Sequence, residues 1–479
     1  PLGNTELRQG AADAGRSHRT LGRTGEIQER ANGGARMSRA VDLAEQVLEL
    51  VGDRAEAEVV ASEGNLALTR FANSFIHQNV AEVGEAVSLR VAVDGRVASA
   101  RTTTTSAESL ETFVQAALET AELQPVDPDW PGLAPPSAIA AIEHADDGTY
   151  DASPGARAEL VRAFVGAGNG LLAAGYCQTE GRTEAFANSA GQSATGRHTS
   201  AIIDGIQQTG TSAGSGHAVS VAIGDLDGAG AGELAARRAV DSAVPFAAKP
   251  GEYEVVLSPE AVATVAVFLG FYGFNGKMLS EGQSFVELGA QQFDESFQMW
   301  DDVTDPRALG VPFDTEGTPK GHLDLVVNGL TKGVAHNRKT AKKAGADSTG
   351  NNITGSESWG PIPTNVFVGG GDQSVDELIA GVERGIYVSA FNYCRILDPK
   401  TLVVTGLTRN GTFMIENGRI AGAVTNMRFT QPFVDALGEG RILGIGSDAR
   451  FADSEFAPGI MYVPTMRLAS WNFTGGAEG

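Results

Sequence analysis

The sequence predicts an α+β fold with an N-terminal α/β sandwich domain, a middle α+β domain and a β-rich C-terminal domain. The chain has 479 residues, enough for two or three domains. Its 61 glycines favour many tight turns over long helical bundles. Helical and strand periodicities alternate in the N-terminal half, whereas short apolar runs separated by Asn-Gly pairs dominate the C-terminal half.

The first domain is predicted to span residues 37–125. Residues 1–36 are rich in Gly and Arg and poor in large apolar side chains, which predicts a disordered leader, either a cloning remnant or an upstream extension. Ser38 can cap a helix that runs to about Val51. The remaining periodic segments predict an α-β-β-β-β-α order: strands near Glu58–Ser62, Leu66–Phe71, Val87–Val93 and Arg96–Arg101, an Asp94-Gly95 turn before the last strand, and a helix from Ser106 to about Glu122.

A Pro-rich linker at Gln124–Ser137 is predicted to lead to a middle domain over residues 138–245. That domain contains helical patterns at Ala156–Ala174 and Gly232–Val244, with strands between them. The motif Lys249-Pro250-Gly251 marks the next predicted boundary.

The C-terminal domain, residues 250–479, is predicted to be built mainly from hairpins. A capping box of Ser374 and Glu377 predicts one helix among the strands, ended by Gly385. Three Asn-Gly pairs between apolar runs predict type I′ turns: Asn328-Gly329, Asn410-Gly411 and Asn417-Gly418.

Composition excludes several classes of partner. The formal net charge of −23 argues against nucleic acid, because phosphate binding needs a basic surface. The basic run Lys332–Lys343 predicts either a solvated helix face or a local contact with an anion or a carboxylate. Two cysteines, Cys177 and Cys394, favour a reducing, cytoplasmic setting. No apolar run reaches the roughly 20 residues of a membrane-spanning helix, so no membrane contact is expected.

Local catalytic motifs are missing from the sequence. A zinc hydrolase motif places two His on one helix face with a Glu beside the first, yet no His here is followed by Glu. Gly210–Gly214 matches the G-x-S-x-G pattern, but strand-like segments flank it, which predicts a hairpin loop. The segment 261–282 reads as an apolar helix with a Gly-rich exit and no His, with Val262, Val265, Ala266 and Leu269 on one face.

Four polar clusters remain, and each by itself is typical of strand ends, turns or helix caps. They are RFANSFIHQN (70–79), PFDTEG (312–317), HNRKTAKKAG (336–345) and FNYCRILDP (391–399). In this order, together with PGEYEVVLSPEA (250–261), they resemble the TldD/PmbA family over roughly residues 37 to 470. The ordered combination is far more specific than any one cluster.

The resemblance implies a cytoplasmic, two-subunit peptide-processing assembly. In that family the TldD-type subunit carries zinc on a His-Glu-x-x-x-His helix and on a Cys near the C-terminus. Here the corresponding slot holds Val265–Gly270, and the segment 443–450, where the Cys would fall, contains none. The chain therefore resembles the PmbA (TldE)-type subunit, which implies no cofactor in this chain and zinc in a TldD-type homologue that pairs with it as a heterodimer.

The resemblance also implies a role for this chain in binding extended peptide, with no catalytic residue and no metal ligand of its own. Alternatives are a scaffold or binding protein that keeps only the fold, and a subunit of an amide hydrolase that tailors a natural product. The residues expected to contact substrate or partner are Arg70, His77, Asn79, Asp314, Glu316, His336 and Arg338.

Overall fold

Three β-sheets organise the protein in the computed structural model, which describes residues 38–454 and 461–476. The mixed helix and strand content confirms the predicted α+β class. The predicted leader, residues 1–36, lies outside the described residues. No helix of the described part is both long and apolar enough to cross a membrane.

The helices are short and lie mostly between strands. Their bounds are α1 (Arg39–Val51), α2 (Ala107–Leu123), α3 (Asp147–Tyr150), α4 (Pro154–Ala167), α5 (Gly228–Asp241), α6 (Pro259–Phe268), α7 (Gly276–Ser280), α8 (Arg338–Ala344), α9 (Ser356–Trp359), α10 (Val375–Ala380) and α11 (Phe433–Ala436), with 3₁₀ turns at Gly52–Arg54 and Ile223–Asp225.

The strands divide into long ones in the first sheet and mostly shorter ones elsewhere. Their bounds are β1 (Glu56–Ala72), β2 (Phe75–Val93), β3 (Arg96–Thr102), β4 (Leu172–Asn188), β5 (Ser193–Gln208), β6 (Ala213–Ser220), β7 (Gly251–Leu257), β8 (Met299–Asp301), β9 (Leu323–Val327), β10 (Leu330–Thr331), β11 (Val366–Val368), β12 (Arg384–Asp398), β13 (Val403–Glu416), β14 (Arg419–Ala423), β15 (Met427–Pro432), β16 (Ile442–Ile445), β17 (Arg450–Ala452), β18 (Met461–Val463) and β19 (Met466–Gly476).

The first sheet is antiparallel and has the order β3-β2-β1-β4-β5-β6. The prediction of two strands between Glu58 and Phe71 was wrong, because β1 runs unbroken for 17 residues. Gly64 lies in its middle and pairs with Gly84 on one side and Arg182 on the other. Pairing on both sides keeps the strand extended. The position has no room for a side chain, because a Cβ at Gly64 would lie 2.2 Å from the Gly181 carbonyl oxygen.

One face of this sheet carries two pairs of helices. Leu43 of α1 and Leu110 of α2 pack on Val59 at one end of β1. Phe164 of α4 packs on Phe71 at the other end, together with residues of α5. Val59 and Phe71 share a face because side chains on a strand alternate with a period of two. Strands β1 and β4 pair although they precede and follow the Pro-rich segment in the sequence, so one sheet contains strands from both predicted domains. The predicted domain boundaries themselves remain a prediction.

The C-terminal half contains the other two sheets. One has the order β10-β9-β8-β11-β18-β17. The other has the order β12-β7-β19-β15-β13-β14 and closes on itself, because β12 also pairs with β13. Trp471 lies inside this closed sheet with its ring 5.1 Å from Phe391 and 5.4 Å from Phe429. The β-rich C-terminal half is as predicted.

Helix α6 directly follows strand β7, which lies between β12 and β19 in the closed sheet. All ten of its residues, Pro259–Phe268, are buried. A π-helical turn, Leu269–Gly273, continues it. The predicted apolar helix with a Gly-rich exit is thus confirmed, and it forms part of the largest apolar core.

Several predicted boundaries were wrong for local reasons. The helix predicted at Ala156–Ala174 ends at Ala167, because Asn169 and Gly170 take positive φ angles of 48° and 93°. The capping box at Ser374 is confirmed, but its helix ends at Ala380 rather than at Gly385. Asn410-Gly411 makes no hairpin; it lies inside β13 at a bulge opposite β12.

Candidate substrate-binding cleft

A cleft of about 600 Å³ lies between the edge of the first sheet and the C-terminal half. Strand β3 forms one wall with Val97 and Ser99, and Lys339 and Lys343 of α8 form another. Arg90 and the buried Glu316 reach its floor. A second cavity of about 230 Å³ lies beyond Arg90, so both open onto the same side chain.

The floor is built on the turn around Asp314. Its carboxylate accepts hydrogen bonds from the backbone N–H groups of Glu316, Thr318 and Asn352, each at 2.9 Å. Gly317 completes the turn with a φ of 71°. Burial, followed by the neighbouring Glu316, raises the pKa of Asp314 above its ordinary value despite these donors. Through these three hydrogen bonds, Asp314 fixes the conformation of the loop that carries Glu316.

Arg90 is placed between two buried carboxylates. It forms ion pairs with Glu58 and, at 2.9 Å, with Glu316. One guanidinium thus faces two carboxylates, with Asp314 behind them. Burial, opposed by Arg90, raises the pKa of Glu58 to about 7. One Glu58 oxygen has no hydrogen-bond partner. Because the buried carboxylates outnumber the cation, we expect the cleft floor to take up a proton near neutral pH.

Glu58 should make folding stability depend on pH. Its pKa rises from 4.5 to about 7 in the folded state, so the folded protein binds the extra proton between these values. Its stabilising contribution is complete below pH 4.5 and is lost as the pH rises through 7. At about 1.4 kcal/mol for each pKa unit, the free energy of unfolding should fall by about 2.5 kcal/mol more in the wild type than in Glu58→Gln between pH 5 and 8.

Urea denaturation at each pH measures this difference. Glu82→Gln on the exposed part of β2 is the control and should follow the wild-type curve. If the free energy of unfolding changes with pH equally in the wild type and in Glu58→Gln, Glu58 is not protonated in the folded protein at pH 5.

Helix α8 joins the floor to the Pro-rich segment. Asn337 caps the helix and completes a capping box with Thr340, and the Arg338 N–H donates to Glu316 at 2.8 Å. The Arg338 guanidinium donates to the Leu133 carbonyl at 2.9 Å. Lys339 and Lys343 pair with Asp127 and Asp129, each at 2.7 Å. The basic run thus makes carboxylate contacts, the second of the two predicted roles.

Strand β3 offers a free edge to the cleft. It ends the sheet order, and its outer side carries one isolated bridge in the described chain, Arg96 to Val126. The two-residue turn Asp94-Gly95 makes Val93 and Arg96 a hydrogen-bonded pair, so pairs alternate along the hairpin. By that alternation the N–H and C=O groups of Ser99 point away from β2, into the cleft.

The predicted contact residues fall into two groups. Of the first group, Glu316 lines the cleft, and Asp314 and Arg338 hydrogen-bond with Glu316 from behind it. His336 lies beside α8, where its ring contacts the Thr340 hydroxyl at 3.1 Å and burial lowers the pKa of His336.

The other group, Arg70, His77 and Asn79, is exposed where β1 meets β2. Arg70 and Glu58 are twelve residues apart on β1, roughly 40 Å along an extended strand. Asn79 accepts from Thr69 at 3.2 Å. The two groups thus occupy separate places.

Sequence reasoning missed the two residues that complete the floor. Glu58 and Arg90 stand in alternating strand patterns and resemble ordinary surface charges of a half-buried sheet. The pairing of Glu58 with Arg90 across β1 and β2 was the only available signal, and it depends on knowing the register.

The end of α6 has no donor set for zinc. The residues at Val265–Gly270 are all buried and apolar. The Phe268 ring packs 5.8 Å from Phe433 and 5.6 Å from Tyr272. Zinc is bound by thiolate, imidazole or carboxylate groups, so these residues do not fit it. In the segment 443–450, the Asp448 carboxylate is held by the Thr465 hydroxyl at 2.7 Å.

Two family models match this chain. The PmbA/TldA metallopeptidase domain 1 matches residues 57–121, and the PmbA/TldA metallopeptidase C-terminal domain matches residues 250–475. The chain belongs to the PmbA/TldD family. The C-terminal match contains α6 and the Asp314–Glu316 turn, and the domain 1 match contains Glu58 and Arg90. The cleft floor is therefore built from both matched parts of the chain.

Curated relatives of this PmbA/TldD chain are named metalloproteases. One from Methanothermobacter thermautotrophicus is 25% identical over 206 residues, which cover 42% of this chain and 44% of that protein. One from Synechocystis is 31% identical over 159 residues, covering 32% of this chain and 34% of that protein. These alignments thus span less than half of each relative.

Among solved structures, TldE from Thermococcus kodakarensis is similar with a TM-score of 0.80. The match covers 91% of this chain and 99% of that one at 18% sequence identity. At that identity the likeness shows the fold, which both proteins share almost throughout.

Proposed function

We propose that this chain is one subunit of a heteromeric, cytoplasmic PmbA/TldD-type metallopeptidase, in which it binds extended peptide and leaves the hydrolytic zinc to a TldD-type partner. The apolar end of α6 carries the proposal. Where the family resemblance implies zinc ligands, this chain has Val265–Gly270, all buried in a core of aromatic rings.

Peptide binding is supported by the free edge of β3. An extended peptide can add to such an edge through main-chain hydrogen bonds, which do not depend on its sequence. The cleft beside the edge holds both acidic and basic side chains, Glu316 and Glu357 among the former and Lys277 among the latter. A strand-shaped site of this kind selects unfolded chains, because a folded protein presents few free strands.

The exposed end of β2 supports a partner contact. Phe75, Ile76 and Val83 are exposed by 58%, 38% and 87%. Strand β3 covers β2 only from Val87 onward, so the preceding part of β2 has an open edge. Arg70, His77 and Asn79 lie on the same hairpin end, and we assign them to the partner surface.

In the assembly, a zinc ion held by the partner would supply the Lewis-acid chemistry that peptide hydrolysis needs. This chain orients the peptide along β3. Arg90 and Glu316 line the cleft. In this proposal the cleft receives the side chains of the substrate.

Reconstitution tests the proposal. The chain is co-expressed with the TldD-type homologue of the same genome, and the products are separated by size exclusion and assayed on an unstructured peptide. We expect a complex with chelator-sensitive peptidase activity and no such activity from this chain alone. Chelator-sensitive hydrolysis by the single chain would contradict the proposal, and failure to form any complex would favour the scaffold alternative. Activity confined to a non-peptide amide would favour the tailoring alternative.

A further inference from the structure

Three potential metal ligands meet at a place separate from the cleft. Asp204 on β5 is directly paired with His217 on β6, and Asp453 follows β17. One ligand atom of each residue lies within 4.8 Å of those of the other two. Within the described residues this is the single convergence of three or more His, Cys, Asp or Glu ligands.

His217 is the unusual member of this group. Its side chain is only 8% exposed, and neither ring nitrogen has a hydrogen-bond partner. Buried imidazoles are normally paired, because an unsatisfied polar atom in the interior costs about 1–3 kcal/mol. Burial lowers the pKa of His217, and both of its unpartnered ring nitrogens are open to a ligand.

The two carboxylates are held beside the imidazole at a cost. Burial, followed for Asp453 by the charge of Asp204, raises the pKa of Asp204 to about 6 and that of Asp453 to about 7. The Tyr176 hydroxyl donates a hydrogen bond to the Asp204 carboxylate. A cation between the carboxylates would remove their repulsion and the unsatisfied imidazole together.

No fourth ligand is counted from the neighbouring acidic side chain. Glu260 also borders the pocket, but Arg238 and Arg450 already bind its oxygens at 2.9 to 3.2 Å. The pocket has a volume of about 270 Å³, and Arg409 and Asn410 lie on its wall. It has room for a water molecule or a small ligand beside a bound ion.

We infer that Asp204, His217 and Asp453 form a binding site for a divalent transition-metal cation, Zn²⁺ or Mn²⁺. One imidazole nitrogen with two carboxylates suits these ions, whereas Mg²⁺ and Ca²⁺ favour oxygen ligands alone. Donors on one ion at about 2.1 Å lie about 3–4 Å apart, so small side-chain rotations close the site. Three protein ligands leave a coordination position open toward the pocket.

This site could not be found from local spacing. The expectation of no metal in this chain rested on the missing His-Glu-x-x-x-His helix, whereas these ligands come from three separate segments. The inference is independent of the proposed function, since it concerns this chain without its partner or a peptide.

Metal titration of the full chain tests the inference. The protein is stripped with chelator, and ZnCl₂ or MnCl₂ is titrated by calorimetry, with bound metal counted after desalting. We expect one high-affinity ion per chain, and at least about tenfold weaker binding in His217→Leu and in Asp453→Asn.

His322→Asn is the matched control. His322 also contacts two aspartates, Asp302 at 3.0 Å and Asp324 at 2.9 Å, but through opposite ring nitrogens, so they cannot share one ion with it. Binding lost in both site variants and kept in this control supports the site. Absence of stoichiometric binding, or binding that survives both variants, overturns it. If His217→Leu does not fold, metal binding by Asp453→Asn tests the site, because Asp453 is only half-buried and its substitution should be tolerated.

Discussion

Replacing Arg238 with alanine is expected to lower the free energy of unfolding by about 3 kcal/mol. Arg238 of α5 binds both oxygens of Glu260 at the start of α6, at 3.2 and 3.1 Å, and both side chains are about 5% exposed. The substitution leaves a buried carboxylate with one partner fewer. Breaking such pairs costs about 3–5 kcal/mol, and the remaining contact with Arg450 at 2.9 Å favours the lower end.

Urea denaturation of the single chain measures this loss. Arg237 is the matched control, because it is the preceding residue of the same helix and is exposed. Arg237→Ala should change the free energy of unfolding by less than about 0.5 kcal/mol. Equal, small effects of the two substitutions would show that the buried pair does not hold α5 against α6.

Replacing Ser99 with proline is expected to weaken peptide binding by at least about tenfold in the reconstituted complex. Proline removes the outward N–H of β3, and its ring blocks a peptide strand on that edge. One lost hydrogen bond costs about 1 kcal/mol, and exclusion of the neighbouring residues raises the loss past the 1.4 kcal/mol that corresponds to tenfold. Folding should be little affected, because proline is tolerated on edge strands at positions whose N–H faces outward.

The peptide dissociation constant and the KM for hydrolysis measure this effect. Ser99→Ala is the matched control, since it removes only the hydroxyl, whose contact with Glu357 is long at 3.5 Å, and keeps the N–H. Ser99→Ala should bind peptide as the wild type does. If Ser99→Pro binds equally well while remaining folded, peptide does not add to this edge.

Helix ends and turns were predicted correctly from the sequence where residues within one short segment determine the backbone conformation. Ser38 and Ser106 cap their helices, and Asp94-Gly95 turns a hairpin with φ angles of 49° and 74°. Asn410-Gly411 carries the same turn signal, yet β13 continues through it because β12 pairs with residues on both sides. Pairing with a distant strand overrode the local preference.

The cleft was only partly predictable for the same reason. Asp314 and Arg338 stand in short motifs whose turn and cap residues are adjacent in sequence, so they could be found by pattern. Glu58 and Arg90 belong to strands, where an acidic and a basic residue give no sign of burial until β1 and β2 are paired and the turn at Asp314 packs on them.

The sequence by itself determined the fold class, the family and the apolar character of α6, because composition, periodicity and ordered motifs are properties of contiguous residues. The tertiary structure alone decided that Arg90 stands between Glu58 and Glu316, that β3 keeps a free edge, and that Asp204, His217 and Asp453 converge. These features join residues far apart in the chain. Their charges and unsatisfied nitrogens interact only because folding buries them together, where water no longer screens or hydrates them.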